Sequence, residues 1–173
     1  MRFIYFCLLL TCFACKNEPK AQNSQNEPEP TVAVDSLKVY NFEEFESLLH
    51  KKDDQVYVIN FWATWCAPCI KELPSFEKLN KVYATSNVEV ILVSLDFPNQ
   101  YDSKLKPYIS SKGLKSKVVA LNDPDSNSWI PKVNRDWSGA IPATLIYNKN
   151  ERKFYEQSFE YPELEKALIQ FLN

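Results

Sequence analysis

Two apolar, β-branched runs, Gln55 to Phe61 (QVYVINF) and Val88 to Leu95 (VEVILVSL), limit what this chain can become. Each has strand length and lacks the polar alternation of a half-exposed strand, so each reads as a strand buried on both faces of a sheet. Helices must then cover both faces, and helix-period segments surround the two runs. Asn41-Phe42-Glu43-Glu44 offers an N-cap with Glu at the third helical position, and Phe42, Phe45, Leu48 and Leu49 mark a helical face that ends near Lys51. Cys66 to Ala84 reads as a helix, and so does Tyr101 to Lys112, with Gly113 as its C′ residue. Lys117 to Leu121 is a further strand, and Asp123-Pro124 opens a short helical stretch broken by Pro131. Ala143 to Tyr147 and Lys153 to Phe159 are strands joined by the turn residues Asn148-Lys149-Asn150. Pro162 begins a last helix, with Leu164, Ala167, Leu168, Phe171 and Leu172 at helical spacing. The order is strand, helix, strand, helix, strand, helix, strand, short helix, hairpin, helix. Parallel crossovers come first and an antiparallel edge last, which predicts an α/β, three-layer domain over residues 36–173 with a mixed central sheet flanked by helices.

Composition narrows the chemistry. Gly113 and Gly139 are the only two glycines, too far apart for a glycine-rich phosphate cradle, so dinucleotide and P-loop sites are excluded. His50 is the single histidine, which rules out paired-histidine zinc sites. A net charge of −2, without a cluster of Lys or Arg, leaves no electrostatic footprint for nucleic acid. The domain is read as a monomer.

The chain opens with Met1-Arg2 and an apolar run from Phe3 to Phe13, the charged and hydrophobic regions of a secretory signal and too short to span a bilayer. Cys15 follows Ala14 and precedes a polar stretch, which resembles a bacterial lipoprotein signal that lipidates the cysteine; cleavage after Ala14 by an ordinary signal peptidase is the alternative. Residues 1–14 are thus read as signal and residues 15–35 as a disordered linker anchored to membrane through lipid on Cys15. The linker is rich in Asn, Gln, Glu, Lys and Pro. Both readings export the protein to face the periplasm.

Sulfur carries the chemistry. In Trp65-Cys66-Ala67-Pro68-Cys69 the first cysteine falls near the start of a helix, where unsatisfied N–H groups and the macrodipole favour a thiolate over the ordinary thiol of pKa about 8.5. Cys66 is therefore the attacking thiolate, and Cys69, three residues on along the same face, the resolving thiol. A zinc knuckle would need a second CxxC, which a mature chain retaining Cys66 and Cys69 lacks. A purely structural disulfide would close a loop too short to add much stability. Pro68 locks one torsion where its missing N–H costs nothing. Glu72 shares the face of Cys69, where a carboxylate would raise the Cys69 pKa and accept its proton; the other reading is a solvated helix Glu beside Lys71.

WCAPC after a buried strand, with Gly139-Ala140-Ile141-Pro142-Ala143-Thr144 some seventy residues later, resembles the thioredoxin superfamily. Asn60-Phe61-Trp62-Ala63-Thr64-Trp65-Cys66 and Glu72-Leu73-Pro74 are similar to its exported, membrane-tethered TlpA/ResA-type thiol-disulfide oxidoreductases. The resemblance implies a thioredoxin fold with an N-terminal extension and a central strand-helix insertion. It makes Pro142 a cis-proline against a redox-active Cys66–Cys69 disulfide, with the Ile141 backbone free to bond an extended substrate and Trp65 and Pro68 beside it. It implies no cofactor and no metal. Asn60 stands where thioredoxins proper carry a buried acid, so proton transfer falls to Glu72. The resemblance further implies reduction of protein disulfides, with apocytochrome c in cytochrome c maturation or other envelope proteins as substrates, and an upstream membrane thiol reductant as partner. Disulfide oxidation or isomerisation remains the alternative, because sequence does not fix reduction potential. A peroxiredoxin-type peroxide reductase would need Thr three residues before its cysteine, where Ala63 stands. Copper delivery would need a histidine downstream of His50, and a non-catalytic binding module would normally lack the cysteine pair.

Overall fold

The computed structural model describes residues 37–172; the signal expected at 1–14, Cys15 and the linker expected at 15–35 lie outside the described residues. Among the described residues the strands are β1 (Lys38–Tyr40), β2 (Val56–Trp62), β3 (Val88–Ser94), β4 (Lys117–Leu121), β5 (Ala143–Tyr147) and β6 (Arg152–Tyr155). They form one sheet in the order β1-β4-β3-β2-β5-β6. The pairs β1–β4, β4–β3 and β3–β2 are parallel, while β2–β5 and β5–β6 are antiparallel. The expected change from parallel crossovers to an antiparallel edge therefore falls at β5.

All seven residues of β2 are buried, as an apolar run without alternation requires. Strand side chains alternate between faces. Tyr57, Ile59 and Phe61 join a core with Phe42 and Phe45 of α1 (Phe42–Glu46) and Trp129 and Val133 of α4 (Ser126–Val133). Val56, Val58 and Trp62 join the opposite core, with Leu73, Phe76 and Leu79 of α2 (Ala67–Val82), Ile109 of α3 (Lys106–Lys112) and Leu164 and Leu168 of α5 (Tyr161–Leu168). Three layers result, and the lone polar residue of β2, Asn60, belongs by alternation to the face that α2 covers.

Local signals place most boundaries. The Asn41 side chain accepts from the Glu44 N–H at 2.9 Å and the Glu44 carboxylate accepts from the Asn41 N–H at 3.2 Å, completing the predicted capping box. That first helix is shorter than expected, passing at Ser47–Leu49 into a 3-10 turn. Pro131 lies inside α4 and does not break it; the helix ends two residues later, so its missing N–H costs one bond in the last turn. The second hairpin strand stops at Tyr155 instead of reaching Phe159. Beyond Tyr155 the chain takes long-range partners: Glu156 accepts from Ser138, and the Phe159 N–H donates to Glu72.

Gly113 caps α3 at φ +61° and Gly139 sits at φ +92°, conformations that side chains rarely adopt. A Cβ on Gly113 would meet nothing within 4 Å, whereas one on Gly139 would come within 3.1 Å of the Ile130 side chain. Gly113→Ala is predicted to lower unfolding free energy by about 1 kcal/mol, and Gly139→Ala by roughly 2 kcal/mol, in urea titrations. Equal losses would show that the Ile130 contact adds nothing to backbone strain.

Candidate active site

The site begins where β2 leaves the sheet. The Leu95 N–H donates to the Trp62 carbonyl at 2.8 Å, the last bond before the chain turns. Across the turn, the Thr64 N–H donates to the buried Asp96 carboxylate at 3.0 and 3.2 Å. The Thr64 hydroxyl donates to the same group, and the Ser94 hydroxyl reaches it at 2.8 Å. The Cys66 N–H closes the turn on the Ala63 carbonyl at 3.1 Å.

Cys66 is then the N-cap of α2, in extended backbone, and its Sγ accepts from the Cys69 N–H at 3.3 Å. Helix N-termini carry unpaired N–H groups and the positive end of the dipole, so a sulfur in the cap position is placed to hold negative charge. Pro68, exposed in the first turn, occupies a position that needs no donor. Cys66 and Cys69 form a disulfide with Cα atoms 5.3 Å apart. The two cysteines are unequal: Cys66 keeps 6% exposure, and Cys69 has none. Of the pair, Cys66 is therefore the one open to an approaching group.

The Ile141–Pro142 bond is cis, and the Ile141 carbonyl lies 3.7 Å from Cys66 Sγ. In the disulfide this is a contact without a proton; on reduction the same carbonyl is placed to accept from a Cys66 thiol. The approach to this loop is tied down from both sides. The Trp137 indole N–H donates to the Ala140 carbonyl at 2.8 Å, and both the N–H and the hydroxyl of Ser138 donate to Glu156. These bonds hold the Glu156 carboxyl below the usual carboxylate range. Trp65 is exposed, and its indole stacks on Phe97 with ring centres 6.4 Å apart. Trp62, by contrast, is a core residue.

Glu72 lies one turn beyond Cys69 on the buried face of α2. One carboxylate oxygen accepts from Asn60 Nδ2 and the other from the Phe159 N–H, both at 2.8 Å. It is not the solvated glutamate that its neighbour Lys71 would allow, since it is 3% exposed. Burial pushes its pKa from 4.5 up to about 7, against the pull of the Phe159 N–H and the Asn60 amide. The Asn60 amide also approaches Thr144 Oγ1 at 3.2 Å.

Thus Cys69 and the Ile141 carbonyl lie against the Cys66 sulfur, Trp65 and Pro68 flank the cysteines in the chain and are exposed, and Glu72 follows one turn on along the buried face of α2. Among the described residues, no group of three or more His, Cys, Asp or Glu is placed to hold a metal ion. Asp96, Trp137 and Phe159 complete the site and were not singled out from sequence. A lone acid closing the run VILVSLD was the available signal for Asp96; Phe159, 87 residues from Glu72, had none.

The raised Glu72 pKa has a sign. The folded protein retains a proton at Glu72 in a pH range where the unfolded chain has lost it, so this stabilisation is full below about 4.5 and disappears as pH rises to about 7. Relative to Glu72→Gln, the unfolding free energy of the parent should fall by about 3 kcal/mol across that window. Parallel stability curves for the two proteins would show that Glu72 titrates normally.

Comparison with known proteins agrees with this geometry. The chain is 32% identical over 120 residues to the "Thioredoxin-like protein YneN" of Bacillus subtilis, covering 63% of this chain and 66% of the relative. It is 49% identical over 102 residues to the "Thiol-disulfide oxidoreductase ResA" of Oceanobacillus iheyensis, covering 54% and 53%. The chain spans from about a third to about two thirds of the length of the curated relatives it matches. A thioredoxin-related protein from Neisseria meningitidis serogroup B shares the fold at a TM-score of 0.59 and 21% identity, covering 69% of this chain and 86% of that one. The fold is thioredoxin-like, and because the AhpC/TSA family profile matches residues 30–152, well over half its length, the chain belongs to the AhpC/TSA family.

Proposed function

We propose that this protein is an exported thiol-disulfide oxidoreductase that reduces disulfides in other proteins. The observation that carries the reading is the inequality of the two cysteines: Cys66 caps a helix N-terminus and keeps a little exposure, and it is bonded to a Cys69 with none. In the reduced protein, the Cys66 thiolate attacks one sulfur of a substrate disulfide and expels the other as a thiolate. Cys69 loses its proton and attacks Cys66 Sγ, releasing the second substrate sulfur. Two electrons pass to the substrate, and the Cys66–Cys69 disulfide remains. Glu72, its pKa near neutrality, is the group proposed to accept the Cys69 proton. The Ile141 backbone, beside Cys66 at the cis-proline, is proposed to bond an extended substrate strand.

An upstream membrane thiol reductant would restore the dithiol. The Met1–Arg2 start, the apolar run and Cys15 support export with a lipid anchor, and residues 15–35 would serve as the tether to the domain. No helix among the described residues is long and apolar enough to cross a membrane. Apocytochrome c and other envelope proteins are the proposed substrates. Similarity to the ResA thiol-disulfide oxidoreductases supports the activity, and Ala-Pro between the cysteines favours a reductant. A peroxide-reducing site is not favoured, because Thr64 directs its hydroxyl to Asp96.

Cys69→Ser should accumulate a mixed disulfide between Cys66 and its substrate, identifiable by mass spectrometry, whereas Cys66→Ser should accumulate none. Glu72→Gln should slow mixed-disulfide resolution. Capture of small thiols alone by Cys69→Ser would contradict a protein substrate, and a reduction potential well above about −200 mV would contradict the reducing direction.

A further inference from the structure

The large hydrophobic side chains left exposed among the described residues are Val39, Trp65, Val82, Phe97 and Ile169. Two of them, Trp65 at 52% and Phe97 at 59% exposure, come from separate elements and stack on each other, with their rings 21° from parallel. Trp65 precedes Cys66 in the chain, and Phe97 follows the end of β3. The pairing is built in from below. Asp96 holds the turn through the Thr64 N–H and hydroxyl, while the adjacent Phe97 places its ring on the adjacent Trp65. One two-residue step on each segment thus supplies a buried polar lock and an exposed aromatic pair.

Two exposed aromatic rings held together in water are an apolar surface with nothing on it. Their exposed chain neighbours Ala67, Pro68 and Pro98 carry no charge and no side-chain hydrogen-bonding group. Phe97 is not needed to cover the core, because it is more than half exposed.

We infer that Phe97, stacked on Trp65, is a specificity-determining residue: the pair receives an aromatic side chain next to the reacting cysteine of an oxidised polypeptide. The inference rests on the proposed oxidoreductase reading and names its substrate class. Trp65 directly precedes Cys66, the cysteine of the pair that keeps some exposure, so a segment presenting its disulfide to Cys66 brings its flanking residue toward the rings. Aromatic side chains gain from ring contact beyond the area they bury.

The test uses two disulfide-bonded peptides, identical except for Phe or Ser next to one cysteine, each mixed with the pre-reduced protein. The second-order rate constant for thiol exchange is expected to favour the Phe peptide by about fivefold to tenfold, the scale of one aromatic contact. In Phe97→Ser that ratio should fall to near one, and in Phe97→Tyr it should be kept. An unchanged ratio in Phe97→Ser, or no preference in the parent, overturns the inference while leaving the oxidoreductase reading intact. Failure of the parent to exchange with either peptide overturns that reading and the inference with it. Sedimentation of both proteins covers the remaining occupant: a dimer that Phe97→Ser dissociates would assign the platform to a second copy and overturn the inference.

Discussion

A strand buried along its whole length and bonded on both edges can deliver the chain to only one place, and the rest of this site follows from where β2 ends. Its neighbours β3 and β5 fix its register, with Asn60 opposite Leu92 on one side and Thr144 on the other. At Trp62 the chain must turn out of the sheet, and the Asp96 carboxylate at the end of β3 takes the Thr64 N–H that the turn would otherwise leave unpaired. Two residues later Cys66 caps a helix that has to pack back across β2. The reactive sulfur is thus held at the carboxyl end of the central strands by sheet geometry, where open α/β sheets place their binding sites.

Packing α2 on β2 carries a polar cost at one position, and the structure meets part of it with a matched pair, leaving Asn60 Oδ1 without a hydrogen-bond partner. Asn60 faces α2 because its position in the strand is even with Val58 and Trp62, and Glu72 faces β2 because it lies on the helix face of Cys69 and Phe76. Each would be costly to bury alone. Together they satisfy one oxygen of the carboxylate, and the Phe159 N–H satisfies the other. The acid is held in place while burial keeps its pKa near neutrality, the range in which a group both takes up and releases protons.

The layers were legible because hydrophobic period reports directly on burial: runs without alternation became the interior strands, and the Asn41–Glu44 box marked its helix start to the residue. The cysteine pair was legible because CxxC after a buried strand has few other uses. The cis bond at Pro142 followed from family resemblance, since nothing local distinguishes it from a trans proline. What could not be read were bonds between distant residues. The strand expected to reach Phe159 stops at Tyr155, since Glu156 is taken by Ser138 and Phe159 by Glu72, and neither partner lies within the local pattern. Pro131 has the local mark of a helix breaker, yet so near the end of α4 it forfeits one bond while Trp129 and Val133 still anchor the helix to the core.

Cys66, which caps α2 and keeps some exposure, is proposed to be the thiolate of the reduced pair while Cys69 is withheld. Residue-resolved alkylation of the reduced, folded protein at neutral pH measures this directly. Cys66 should be modified at least about tenfold faster than Cys69, with Cys69 reacting at a comparable rate only after unfolding, as thiolate character and access require. Equal rates for the two cysteines in the folded protein, or faster modification of Cys69, would contradict the account.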